Sequence, residues 1–500
     1  MKINPSIQID YYKSGHIIQY PKGTTYVYAN GTFRSSRLAS VIKGIFDEKV
    51  VFFGMQGFIK WFLIDCWNEC FFNQPKEQVL ADYQFHMDQG LGPGVDISHI
   101  GELHDLGYLP VRIKALPEGS RVNIKVPPFT IANSHPNFFW LTNYLEDVLS
   151  NNVWKASTTA TTAWQYRKLL DKYAEETGAN KDFVLWQGHD FSFRGVGGIH
   201  DGSSNSSGHL LSFLGTDTIP AIDYLKNYYS GAQTYIGGSV PATEHSVMCM
   251  GGEEDEVETF RRLIKETYRS GIVSIVSDTW DFWNVLGDPN TSIAAILKED
   301  ILAREPNALG LAKVVFRPDS GDPADIICGN QFLSDFSLPE SKGAVECLWD
   351  IFGGTINEAG YKELNPRVGL IYGDSITLDR AQDILERLKA KGFASSNIVF
   401  GIGSFTYQYQ TRDSYGFAMK ATFGTVNGVD KEIFKLPKTG DGTKNSAKGL
   451  LRVEKLGDDF ILFDQQTRQE ELQGCLKLVF EDGKLYNEQT LEQIRKVLHG

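Results

Sequence analysis

The sequence predicts an α/β protein: an irregular α/β barrel joined to a second, β-rich domain that the two ends of the chain build together. Three observations carry this. Five short apolar runs, FVLWQGHDF, IVSIVSDTWDF, KVVFRPDSGDP, VGLIYGDSI and NIVFGIGSF, each end in Gly, Asp, Arg or Ser. Amphipathic segments such as EVETFRRLIKETYRSG and TLDRAQDILERLKAKG lie between some of them. Continuous apolar strands alternating with such helices mean a parallel sheet covered by helices. Both ends of the chain read differently, as short aromatic and β-branched runs punctuated by glycine, with no βαβ rhythm. The expected boundaries are 1–152 with 414–500 for the β-rich domain and 153–413 for the barrel.

In chain order, the opening MKINPSIQIDYYKSG has no apolar signal-like stretch. The longest apolar patch, VVFFGMQGFIKWFLIDCW at 50–67, is interrupted by Gln56, Lys60 and Asp65 and reads as a core strand running into a helix. A soluble, cytoplasmic protein is expected, without a membrane partner. The net charge of −13 argues against a nucleic-acid partner, because a phosphate backbone rewards clustered Lys and Arg, yet it leaves room for a local phosphate site. Six cysteines without a CxxC pair fit a reducing compartment, with Cys66 and Cys70 as buried helix positions. WKASTTATTAWQYRKLLDKYAEETG reads as an amphipathic helix ended by Gly178. Past 414 come FAMKATFGTVNG, DFILFD and LKLVFEDGKLY, with DGTKNSAKG as a polar loop.

The strand ends hold the residues fitted for chemistry. In VVFRPDSGDP, Arg317 offers a fork for phosphate and Asp319 an anchor for Mg²⁺ or a ribose hydroxyl, though an Arg–Asp pair closing a strand end fits the same residues. In IYGDSI, Gly373 lets a ligand approach the backbone and Asp374 suits ribose hydroxyls, while Gly-Asp turns are common in any protein. In FGIGSF, Gly401, Gly403 and Ser404 form a possible nest of amides for phosphate, with Arg412 supplying charge. GHDFSFRGVGG places Phe191 and Arg194 where a flat ring beside a phosphate would sit. GTDTIPAI puts Asp217 in a turn, and SVPATEHSV puts His245 beside Glu244. A lone histidine is more often structural.

Taken together, HDFSFRGV, GTDT, SVPATEHS, RPDSGDP and YGDSI, with IDYYKSGHIIQYPKG at 9–23, closely resemble the nicotinamide phosphoribosyltransferases over nearly the whole chain. The resemblance implies a type II phosphoribosyltransferase fold and a homodimer with shared active sites. It implies a pentosyltransferase that makes nicotinamide mononucleotide and pyrophosphate from nicotinamide and 5-phosphoribosyl-1-pyrophosphate in NAD salvage, using Mg²⁺ and stimulated by ATP. Carried over, Phe191 and Tyr12 of the partner subunit would stack on the nicotinamide ring, and Asp217 would accept from its carboxamide. Arg194 and Arg317 would line the cleft, and Asp319 would hold ribose or Mg²⁺-pyrophosphate. Gly373 and Asp374 would face the ribose, and Gly403, Ser404 and Arg412 the 5-phosphate. Arg34, Lys420, Lys435 and Lys444 would grip pyrophosphate or ATP phosphates from the partner chain, and His245 matches the family's phosphorylated histidine. GIGSF departs from the GSGGG of the family's animal members by placing Ser404 and Phe405 where those have glycine. A nicotinate phosphoribosyltransferase is the nearest alternative, and Asp217 separates the two, since a carboxylate repels a carboxylate substrate. A catalytically idle binding protein would have no use for a phosphorylatable His245. A phosphate-sugar aldolase or isomerase would explain neither the ring site nor His245.

Overall fold

The computed structural model of the chain describes residues 3–229, 235–434 and 447–500. Its two ends meet in a seven-stranded antiparallel sheet. The spatial order is Val429–Glu432, Ala418–Val426, Thr24–Thr32, Phe129–Asn133, Val111–Ala115, Lys477–Glu481 and Lys484–Leu485. The N-terminal strand Thr24–Thr32 thus lies between Ala418–Val426 from the far end of the chain and Phe129–Asn133, all five of whose residues are buried. The apolar patch behaves as its pattern predicts, with the strand Lys49–Val51 followed by helical turns from Met55 to Phe72. Phe58, Phe62, Trp67 and Phe71 of those turns join Trp140 and Phe129 in one core. Cys66 and Cys70 are half-buried rather than buried, both free, and burial pushes the Cys66 thiol up to about 12.

The second layer is parallel throughout. Its strands run Gly215–Thr216, Gly188–Asp190, Val399–Ile402, Val368–Tyr372, Ala312–Arg317 and Gly271–Val276. The two free edges are joined by the stretch 238–242, where Gly238 bridges to Gly215 and Ala242 to Ser274, both in parallel sense. The Thr216 amide donates to the Gly238 carbonyl at 3.0 Å, the Ser274 amide to Pro241 at 2.9 Å, and the Thr243 amide to Ser274 at 3.0 Å. A closed, irregular barrel results. The closing stretch GGSVPAT has no apolar run, and its proline cannot donate to a ladder, so it carries no strand signature.

One helix, Glu146–Thr177, ties the two layers together. It begins earlier than its sequence pattern indicates and stops where expected, at Gly178 with φ 67°. It is not amphipathic along its middle, because every residue from Ala156 to Tyr166 is buried. Small Ala, Ser and Thr side chains let neighbouring backbone approach, and their hydroxyls serve it. Thr161 Oγ1 accepts from the Val51 amide at 2.9 Å, and Ser157 Oγ accepts from the Phe53 amide at 3.1 Å while donating to the Phe53 carbonyl. A buried amide left without a partner costs about 1–3 kcal/mol. Among the described residues, no helix is long and apolar enough to cross a membrane.

Thr161→Val keeps the shape of the side chain and removes the acceptor for Val51. It is expected to lower the free energy of unfolding by about 1–3 kcal/mol in urea titrations, with catalytic rate per folded molecule unchanged. A midpoint equal to the parent's would show that the helix hydroxyls do not support the strand.

Candidate active site

The C-terminal ends of the barrel strands converge on one mouth, as they must in a closed parallel barrel. After Gly188–Asp190 the chain turns because Asp190 Oδ1 accepts from the Ser192 amide at 2.9 Å. The Phe191 amide donates to the Ile402 carbonyl at 2.9 Å. The Phe191 ring then lies across the backbone of two neighbouring strand ends. A Cβ at Gly401 would stand 2.5 Å from that ring, and one at Gly373 would stand 3.2 Å from it. Gly401 thus forms part of the ring's bed, and Gly403, where a Cβ would meet nothing within 4 Å, is the open member of that loop.

Beside Phe191, whose ring centroid is 4.9 Å from that of His189, sits a polar group of three. His189 Nε2 is 2.9 Å from Asp217 Oδ1, and the Ser239 hydroxyl donates to the same oxygen at 2.5 Å. Burial opposes the charge on Asp217, but the His189 hydrogen bond and charge, the Ser239 hydroxyl and Arg317 outweigh it, holding its carboxyl below the usual range. Asp217 is thus an ionised acceptor, still partly open at the mouth.

The RPDSG loop stands on the other side of Gly373, whose Cβ would lie 2.9 Å from Asp319 Oδ1. Asp319 Oδ2 is 3.8 Å from Arg317 Nε and 4.0 Å from His245 Nε2. Arg317 Nη2 donates to the Thr243 carbonyl at 2.9 Å, linking this loop to the stretch that closes the barrel. The loop is shaped from below by Asp278, whose Oδ2 accepts from the amides of Asp319 at 2.9 Å and Ser320 at 2.8 Å. The Tyr372 hydroxyl donates to the Ser320 and Gly321 carbonyls. Burial raises the Asp319 carboxyl, with Asp278 and Asp374 adding to the rise against Arg317 and His245. His245 opens the short helix His245–Cys249 and is half-exposed; its near carboxylate is Asp319, while Glu244 accepts from Ser246.

The remaining expected residues divide. Asp374 is exposed just past Gly373 and accepts from Ser375, and Ser404 touches Gly195, where an added Cβ would stand 2.1 Å from its hydroxyl. Arg194 is exposed in the turn Phe193–Gly195 and forms no ion pair among the described residues. Arg412 stands with Arg34 and Lys420: burial and the Arg412 charge lower Arg34, and burial with Arg34, Arg412 and Lys13 lowers Lys420 against Glu146. These three form one cationic group within a single chain. Tyr12 is exposed on the sheet domain, its ring edge-on to His16. Lys435 and Lys444 lie outside the described residues. Three contributors went unassigned in the sequence: His189, Ser239 and Asp278. Each sits inside a quoted motif, but only distances show that they act on Asp217 and on the Asp319 loop.

Two family profiles match the chain, one described as the nicotinamide phosphoribosyltransferase N-terminal domain at residues 4–113 and one as the nicotinate phosphoribosyltransferase (NAPRTase) family at 186–484. A nicotinamide phosphoribosyltransferase of Acinetobacter baylyi is 61% identical over 99% of this chain and 97% of its own length. The chain belongs to the nicotinamide phosphoribosyltransferase family. It is accordingly a pentosyltransferase. The Mycoplasma pneumoniae member is 35% identical over 88% of this chain and 93% of its own. In fold, the chain is similar to human nicotinic acid phosphoribosyltransferase, with TM-score 0.52 at 17% identity over 98% of this chain and 92% of the other. It is likewise similar to the nicotinate-nucleotide pyrophosphorylase of Pyrococcus furiosus, with TM-score 0.53 at 13% identity over 99% and 95%. The type II phosphoribosyltransferase architecture expected from the motifs is the one found.

Gly401→Ala tests the bed of the Phe191 ring, since the new methyl would also lie 2.7 Å from the Gly373 Cα, which cannot step aside as a side chain can. The folded variant is expected to lose about 100-fold in kcat/KM through misplacement of the ring. Steady-state kinetics within twofold of the parent would show that the ring's position is not needed.

Proposed function

We propose that the protein transfers the phosphoribosyl group of 5-phosphoribosyl-1-pyrophosphate to the ring nitrogen of nicotinamide, releasing pyrophosphate and forming nicotinamide mononucleotide for NAD salvage. The observation that carries this reading is Asp217, a carboxylate kept ionised by His189 and Ser239 beside the Phe191 ring. Such a group accepts from a carboxamide NH₂ and repels the carboxylate of nicotinate. The names borne by the bacterial relatives support the same base.

In this reading Phe191 supports one face of the nicotinamide ring, and Tyr12 of the partner subunit in a homodimer covers the other. The exposure of Tyr12 within one chain supports that arrangement. The ring nitrogen carries a free lone pair and needs no general base. The C1–O bond to pyrophosphate breaks early, so the protein's task is placement and charge stabilisation. Gly373 and Asp374 meet the ribose, and Gly403 and Ser404 the 5-phosphate. Arg194 and Arg317 face the pyrophosphate, and the Arg34, Lys420 and Arg412 group supplies further charge for phosphates.

Among the described residues, no three acidic, His or Cys side chains form a complete metal cage. That suits Mg²⁺, which keeps most of its oxygen ligands from water and substrate phosphates and takes one or two carboxylates. Asp319 would hold it, with the unpaired, buried Oδ1 of Asp278 behind, and the ion would neutralise the leaving pyrophosphate. ATP is proposed as a co-substrate whose γ-phosphoryl group passes to His245 as ADP leaves, adding negative charge close to Asp319 and tightening the metal-bound donor.

Asp217→Asn is expected to fold and to lose the equivalent of about 1–3 kcal/mol in kcat/KM for nicotinamide. Nicotinate should gain as a substrate in the same variant. Incubation of both bases with the sugar donor and Mg²⁺, with identification of the mononucleotide formed, checks both; unchanged nicotinamide kinetics would remove Asp217 from the base site. His245→Ala should lose ATP hydrolysis and the acid-labile phosphate on the protein while keeping ATP-independent transfer. ATPase activity persisting in that variant would place the phosphoryl acceptor elsewhere.

A further inference from the structure

The last helix of the chain, Leu491–His499, packs Leu491, Ile494 and Leu498 against Leu210, Leu211 and Tyr229 beneath the barrel. From it Arg495 reaches into the backbone leading to the base site. Its Nε and Nη2 donate to the Leu210 carbonyl at 2.9 and 2.7 Å, Nη1 to Tyr235 at 2.8 Å, and Nη2 also to Ile236 at 2.6 Å. Burial lowers the guanidinium to about 10, so it keeps its charge at neutral pH. His499 Nε2 adds a contact to the Leu211 carbonyl at 3.1 Å. The two backbone stretches gripped here both run directly to the ring site. Leu210 and Leu211 precede the strand Gly215–Thr216 and then Asp217. Tyr235 and Ile236 precede Gly238, whose amide donates to Leu214 and whose carbonyl accepts from Thr216, and then Ser239, whose hydroxyl bonds Asp217.

We infer that Arg495 is a positioning residue for the choice of base: by clamping the carbonyls of Leu210, Tyr235 and Ile236 together it sets the distance between Ser239 and Asp217. A planar guanidinium can span three carbonyls from two separate segments, whereas the ammonium of lysine offers its donors from a single point. Arg495 adds to the Gly238–Leu214 and Gly238–Thr216 backbone hydrogen bonds in fixing the segment that leads into Ser239. Displacing Ser239 would withdraw one of the two hydrogen bonds that keep Asp217 an aligned, ionised acceptor. The far end of the closing stretch, where the Thr243 carbonyl accepts from Arg317, is tied separately to Ser274, and the Asp319 loop rests on Asp278, so the effect falls on nicotinamide before it reaches the phosphoribosyl side.

The test is steady-state kinetics on Arg495→Lys, Ser239→Ala and the double variant, with both substrates varied. KM does not depend on how much of the enzyme is folded, so a loss of stability alone lowers apparent kcat and leaves KM where it was. Arg495→Lys is expected to raise KM for nicotinamide about fivefold or more, as couplings between neighbouring groups do, with KM for 5-phosphoribosyl-1-pyrophosphate within about twofold of the parent. Because Arg495 acts through Ser239, the double variant should match Ser239→Ala. Should Arg495→Lys yield no soluble enzyme, Arg495→Gln is measured in the same way. An unaltered KM for nicotinamide in the Arg495 variant, equal changes in both KM values, or effects that multiply in the double variant would each overturn the inference. It rests on Asp217 as the base-site acceptor. If Asp217→Asn leaves nicotinamide kinetics unchanged, that reading fails; a changed Asp217→Asn beside an unchanged Arg495→Lys sinks only the role given to Arg495.

Discussion

Closing a ring of parallel strands is the constraint on which the rest of this molecule depends. A parallel strand presents its C-terminal end in the same direction as its neighbours, so a closed ring brings all its strand-end loops to one mouth. Here the last gap is bridged by a stretch, 238–242, that pairs through two isolated bridges to Gly215 and Ser274. The approach to it is tight: a Cβ on Gly237, just before the stretch, would stand 3.0 Å from the Leu214 carbonyl. With the gap bridged, Ser239 reaches Asp217 on one side and Thr243 reaches Arg317 on the other. An open sheet would leave the Asp217 strand end at one edge and the Arg317–Ser274 side at the other, without the stretch that links them.

The mouth holds carboxylates in two opposed settings. Asp217 is surrounded by donors and a cation and stays ionised below the usual range. Asp319 is half-buried close to Asp278 and Asp374 and is raised. Arg317 serves both, lowering each. A group in the first setting is a fixed acceptor, suited to reading an amide. One in the second is a charge short of a partner, suited to sharing a cation with a polyphosphate. A chain of net charge −13 still gathers positive charge locally, in the grouping of Arg34, Arg412 and Lys420.

Much of the fold was legible because its signals are local. Apolar runs ending in Gly, Asp and Arg mark parallel strands by composition, and those of IVSIVSDTWDF, KVVFRPDSGDP, VGLIYGDSI and NIVFGIGSF supply barrel strands, whereas in FVLWQGHDF the apolar residues form helical turns and only Gly188–Asp190 is strand. The helix Glu146–Thr177 was legible in kind but not in character. Its middle is buried all round, and a helix in that position shows no polar stripe for a periodicity argument to read. The closing stretch GGSVPAT left no trace, since its pairing is imposed by the edges it bridges and not by its own residues.

The sequence by itself determined the class of fold, the family and which side chains are chemically able to hold a ring, a ribose and a phosphate. Those properties reside in residue type, short spacing and order along the chain. Only the tertiary structure decided which of those side chains act on one another: that His189 and Ser239 hold Asp217, that Asp278 shapes the loop of Asp319, that Gly401 is bedding for Phe191, and that Arg412 stands with Arg34 and Lys420. Apart from the neighbouring Arg412 and Lys420, these links join residues from 22 to nearly 400 apart in the chain, and hydrogen bonds and charge fall off with distance in space, which a linear pattern does not record.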